Sequence, residues 1–83
     1  MYSFKDLKKD LLVGREIEFK YNGELYSISN SSKGWALCHN NEIIGNYFED
    51  INYLINYIEQ VKICNKYFRE IFEQNEYESL YIL

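Results

Sequence analysis

The dipeptide Asn22-Gly23 separates two runs in which polar and apolar residues alternate, Arg15 to Tyr21 and Glu24 to Asn30. Asn and Gly both accept the positive φ that a two-residue type I′ turn requires, so this stretch predicts a tight β-hairpin. The turn also fixes which residues face one another: Tyr21 with Glu24, Lys20 with Leu25, Phe19 with Tyr26 and Ile17 with Ile28. One face of the hairpin is then apolar and the other polar.

The same reading extends in both directions. Ser31-Ser32 serves as a second tight connection, setting Trp35 opposite Ile28 and Leu37 opposite Tyr26 and bringing both onto the apolar face. Asn40-Asn41 reads as a third two-residue turn, because Asn tolerates the left-handed region, and sets Glu42 opposite His39 and Ile44 opposite Leu37. The expected sheet is three strands and a short fourth. Upstream, Ser3 with Asp6 three residues later is a capping-box-like start. Phe4, Leu7, Leu11 and Leu12 then recur at helical spacing as far as Gly14, a helix over about 3–13. Downstream of Asp50, Ile51, Leu54, Ile55, Ile58 and Val61 form one helical stripe that would cover the apolar sheet face, with Tyr53 and Tyr57 on its flank. A shorter third helix is expected from about Asn65 to Gln74, with Phe68, Ile71 and Phe72 inward. Residues 75–83 are open between fraying, extending that helix and adding an edge strand. The chain therefore reads as a single α+β domain over 1–83: an N-terminal helix, a three- to four-stranded antiparallel meander and two C-terminal helices on one sheet face.

Size and charge narrow the function classes. A chain of 83 residues buries only about 60–65% of its unfolded surface, so a core, a catalytic cleft and a cofactor pocket would compete for the same side chains. Thirteen acids stand against nine bases, and the imbalance is uneven. Residues 1–40 hold six bases and five acids, whereas residues 41–83 hold three bases and eight acids. No basic run exists to release counterions from phosphates, which argues against direct DNA or RNA binding. No apolar run is long enough to span a bilayer, and the N-terminus alternates charge and hydrophobe, so the expectation is a soluble cytosolic protein without a membrane partner. Cys38 and Cys64 fit that compartment as reduced thiols.

The run from Gly14 to Ile28, closed by Gly34-Trp35, resembles a group of short uncharacterised proteins encoded by low-GC Gram-positive bacteria, their prophages and other mobile elements. The resemblance covers roughly residues 3–74, including the helix ending Val61-Lys62-Ile63 and the terminal helix containing Ile71-Phe72; the tail after Gln74 departs from it. It implies a fold and a genomic neighbourhood. In element order and acidity the chain is also similar to small phage-encoded anti-CRISPR proteins, in which a helix, a three-stranded sheet and two further helices block an RNA-guided nuclease at its DNA-recognition surface. That similarity implies an inhibitor without selecting its target.

The residues that carry chemistry give little to catalysis. Cys38 and His39 are neighbours in a strand and point to opposite faces, which leaves any thiol chemistry to Cys64, expected on the far side of the helix layer. Cys38, His39 and Cys64 are one ligand short of a structural zinc site, so no metal and no cofactor is expected. Gly14, Gly23, Gly34 and Gly45 mark chain reversals rather than a phosphate loop. Trp35, with Phe19, Tyr21 and Tyr26 near it, is placed in the core by the register, with a base-stacking platform as the competing reading.

Two surfaces remain as partner-binding candidates. On the polar sheet face the expected register aligns Lys20, Leu25, Cys38 and Ile43 across four strands with Ala36 beside them, an apolar stripe among Glu16, Glu18, Ser27 and Ser29, provided the tail does not fold over it. The second surface is Glu70, Glu73, Glu76 and Glu78, with no base among residues 70–83, expected to lie over one or two helical turns and to steer the protein toward a basic groove. The functional expectation is a non-enzymatic phage or mobile-element inhibitor of a host nucleic-acid-handling protein such as a defence nuclease. The alternatives are a sponge or sensor for a nucleotide signal and a small homo-oligomeric regulatory module, a homodimer being the simplest.

Overall fold

The computed structural model describes residues 1–83. Helix α1 spans Phe4–Leu12; strands β1 (Ile17–Tyr21), β2 (Glu24–Ser31), β3 (Gly34–His39) and β4 (Glu42–Phe48) follow. Helix α2 (Ile51–Ile58), a small hairpin of β5 (Lys62–Ile63) and β6 (Lys66–Tyr67), helix α3 (Phe68–Glu73) and strand β7 (Glu78–Ile82) complete the chain. It is an α+β protein whose antiparallel sheet has the order β4-β3-β2-β1-β7.

Local chemistry accounts for these boundaries. The Ser3 hydroxyl accepts from the Asp6 N–H at 3.1 Å while the Asp6 carboxylate accepts from the Ser3 N–H at 3.0 Å, a reciprocal cap on α1. The Ser3 N–H, followed by the Ser3 hydroxyl at 3.0 Å, donates to the Asp6 carboxylate, which favours the ionised form and holds the carboxyl below its ordinary value. Asp50 caps α2 through the Asn52 N–H at 2.8 Å. The β1–β2 register has Ile17 facing Ile28, Phe19 facing Tyr26 and Tyr21 facing Glu24, as the Asn22-Gly23 turn requires. Asn40 and Asn41, at φ 49° and 69°, make the β3–β4 turn, with His39 facing Glu42 and Leu37 facing Ile44.

Three expectations need correction, and one left open is decided. The β2–β3 turn is Ser32-Lys33, not Ser31-Ser32: Ser31 faces Gly34, Ile28 faces Leu37, Tyr26 faces His39 and Asn30 faces Trp35. Gly34 sits at φ +119°, so the residue able to adopt a left-handed backbone, rather than the serine pair, closes the turn. The two-residue shift keeps Trp35 and Leu37 on the apolar face because the side-chain period is two. The fourth strand is full length, and it gains two residues on β3 between Ile44 and Phe48, where Phe48 comes to face Trp35. The third helix is shorter than expected and is preceded by the β5–β6 hairpin, whose turn residues Cys64 and Asn65 both have positive φ. Of the three fates left open for the tail, the edge strand is adopted: β7 pairs with β1, Ile17 facing Ile82 and Glu18 facing Tyr81, with one extra residue at Ser79.

All three helices pack on the same side of the sheet. Phe4, Leu7 and Leu11 of α1, Leu54, Ile55 and Ile58 of α2, and Phe68, Ile71 and Phe72 of α3 join Ile17, Phe19, Tyr26, Ile28, Trp35 and Leu37 in one core. Phe19 lies at its centre, with ring centroids of Phe68 and Phe72 at 5.7 and 5.0 Å. No polar side chain is buried. None of the helices is long and apolar enough to cross a membrane.

Candidate functional site

With the helices on one side, the other side of the sheet is left to strand residues alone. Directly paired residues project to the same face, so the register places Ile43, Cys38, Ser27, Glu18 and Tyr81 in one row across all five strands. A second row holds Leu25, Lys20 and Glu78, and a third Ala36 and Ser29, with Glu16 beyond them at the start of β1. Tyr81 is 61% exposed and Ile43 37% exposed, while Glu18, Ser27, Leu25 and Cys38 shield one another and are half-buried. A depression of about 200 Å³ opens on this face among Glu16, Glu18, Ser27 and Ser29. Glu16 is partly held there, accepting from the Asn30 N–H at 3.0 Å.

The expected four-strand stripe is therefore divided. Cys38 and Ile43 remain neighbours, as do Lys20 and Leu25, but Cys38 faces Ser27 instead of Leu25. Leu25 has moved beside Asn40, whose side-chain oxygen accepts from the Leu25 N–H at 3.2 Å. The Ser32-Lys33 turn is the cause, since it slides β3 two residues along β2. The tail does not cover the face; it widens it by one strand. Tyr81 was missed for that reason, although the alternation Leu80 and Ile82 against Ser79 and Tyr81 is a strand signal present in the sequence.

The four C-terminal glutamates do not share a helical surface, because α3 ends at Glu73. Glu70 accepts from the Tyr67 N–H at 3.3 Å and caps the helix. Glu73 is exposed beside a groove of about 420 Å³ bordered by Ser3, Phe4, Lys5 and Lys8. Glu76 is in the following loop, ion-paired with Lys66, and the pairing raises the Lys66 ammonium above its ordinary value. Glu78 alone reaches the open sheet face, opposite Lys20.

A second cluster lies at the core-side end of the sheet. Tyr26 stacks between Phe19 and His39, with ring centroids at 5.6 and 4.6 Å. The His39 Nε2 is 3.1 Å from a Glu24 carboxylate oxygen. Burial, followed by the neighbouring Cys64 thiol, pushes the Tyr26 phenol up to about 12. Cys64 thus lies near Tyr26 rather than across the helix layer, because the β5–β6 hairpin folds back. Cys38 is turned to the opposite face from His39, and both thiols are free. Trp35 is 7% exposed within the core, so its ring offers no platform to a ligand in this conformation. No group of three His, Cys, Asp or Glu side chains converges.

No protein-family model, curated protein or solved structure matches this chain.

Proposed function

We propose that this chain is a non-enzymatic protein-binding domain, of the kind a phage or mobile element uses to inhibit a host nucleic-acid-handling protein, and that it binds through the open sheet face. The observation that carries this reading is the uncovered row Tyr81, Glu18, Ser27, Cys38 and Ile43. Its composition suits a contact surface: an aromatic and an aliphatic side chain at the two ends, small hydroxyl and thiol groups between them, and Glu16, Glu18 and Glu78 against the single Lys20. A sheet that is acidic yet set with exposed apolar groups complements a basic groove, where it would compete with phosphate oxygens for Lys and Arg. Acidity and small size support an inhibitor acting in the host cytosol over a nucleic-acid binder.

The test is to pass a host lysate over the immobilised protein, identify retained nucleic-acid enzymes and assay their cleavage with and without the free protein. Inhibition is expected, and Ile43→Asp or Glu18→Lys should each weaken it at least tenfold, since each sets a mismatched charge in a dried contact. Inhibition unaffected by both substitutions would place the contact elsewhere. Retention of no nucleic-acid enzyme would remove the inhibitor reading.

A further inference from the structure

Every charged residue between Lys33 and Lys62 is acidic: Glu42, Glu49, Asp50 and Glu59. The stretch from Glu42 to Glu59 forms β4 and α2, and β4 is an outer strand of the sheet. Asp50 is engaged in capping α2, and Glu59 pairs with Lys8 at 3.2 Å. Glu42 and Glu49 make no ion pair, and they bracket β4, one as its first residue and the other just past its last.

The backbone at Ile43, ahead of the irregularity between Ile44 and Phe48, is available. A two-residue type I′ turn makes the flanking pair, His39 and Glu42, a hydrogen-bonded pair, and the alternation of the antiparallel ladder makes Leu37 and Ile44 the next. Ile43 lies between those pairs, so its N–H and C=O point away from β3 toward solvent. Of the side chains left open along this strand, Ile43 at 37% and Tyr47 at 44% exposed are apolar, and the polar Asn46 lies between them. Natural edge strands are usually guarded by lysine, by proline or by a bulge. β4 has neither lysine nor proline, and only the irregularity between Ile44 and Phe48 interrupts it. Lys33 lies over the Tyr47 ring, its ammonium 5.7 Å from the centroid.

We propose that the free edge of β4 accepts an added strand from the partner: a short extended segment, apolar in its middle, with Lys or Arg at both ends to meet Glu42 and Glu49. Backbone hydrogen bonds supply the register and the paired carboxylates select the charge. The inference rests on the protein-binding reading above and names the element through which the partner is held.

The probe is a peptide of alternating valine and threonine with a lysine at each end, titrated into the folded protein while backbone amide shifts and hydrogen exchange are followed by NMR. The expected result is a shift and slowed exchange at the Ile43 amide. Binding should be at least tenfold weaker for the same peptide ended in glutamates, and lost when its edge-facing amides are N-methylated. The double variant Glu42→Lys with Glu49→Lys, shown to be folded by circular dichroism, should exchange the two preferences. Equal binding of both peptides, no binding, or shifts confined to Glu18, Ser27 and Tyr81 would overturn the proposal. So would an Ile43 amide protected without peptide as protein concentration rises, which would make a second copy of the chain the occupant. A host partner that still requires Glu18 while Ile43 exchanges freely would remove the edge and leave the open-face reading intact.

Discussion

Phe19 and Leu37 show how far a single residue's environment follows from the pattern around it. Both sit on the apolar face of strands whose parity is set by flanking turns, and both are fully buried. Phe19→Ala is expected to cost about 3–5 kcal/mol and Leu37→Ala about 2–5 kcal/mol in urea unfolding, because a small core has little capacity to collapse around the cavity. Glycine gives a contrasting pair. A Cβ on Gly34 would lie 2.6 Å from the Phe48 carbonyl oxygen at φ +119°, whereas one on Gly23, at φ +75°, meets nothing within 4 Å. Gly23→Ala should therefore cost only the left-handed penalty of about 1–2 kcal/mol, and Gly34→Ala clearly more, measured in the same way. Gly34 is also where residue-level reading failed. Two serines fit a turn by composition, but the backbone is governed by the one residue that tolerates its dihedral. At Asp6 the sign of a pH effect is fixed. Its folded carboxyl titrates below its ordinary value of 3.8, so the cap contributes fully above that value and is lost as pH falls through the lower, folded one. Thermal melts should show the wild type losing its advantage over Asp6→Asn on acidification through that window and keeping it at pH 5–7.

Elements were legible where the turn chemistry is strong. Asn22-Gly23 and Asn40-Asn41 fix their hairpins without help from the rest of the chain, and the Ser3 cap and the stripe from Ile51 to Ile58 fix α1 and α2. The β5–β6 hairpin was not legible. Its turn is Cys64-Asn65, and cysteine is a poor occupant of a positive φ, here 52°; the fold imposes it by seating Phe68 and Phe72 against Phe19. Cys64→Asn should then stabilise the protein by about 0.5–1 kcal/mol, by relieving that backbone cost, read as a higher urea midpoint at unchanged slope. A lower midpoint would mean that the thiol's contact with Tyr26 outweighs the backbone cost. The tail was undecided for a different reason: β7 is five residues with a bulge at Ser79, and its pairing depends on β1 presenting a free edge, which is a property of the assembled sheet.

At the scale of the molecule, the two sides of the sheet carry different tasks, and Trp35 reports on one of them. The candidate site was only half legible because it depends on this scale: which residues share the open face follows from strand order and from a register that slid by two, and the acidic helix run was broken by where α3 ends. The core side is simpler. A single cluster of 17 buried residues draws on all three helices and on strands β1, β2 and β3, with no second centre around which part of the chain could persist alone. Unfolding should therefore be one cooperative event. Trp35, the only tryptophan, is held in that cluster beneath the helix layer, so its fluorescence and far-UV circular dichroism should trace the same urea transition, with one midpoint and one slope. Acrylamide should quench it weakly until that transition. Adding a cyclic dinucleotide should leave native emission unchanged, because no face of the indole is open to stack on a base. Early exposure of the indole, ahead of helix loss, would mean that the sheet and the helix layer separate before they melt; quenching by the nucleotide would return the sensor reading to contention.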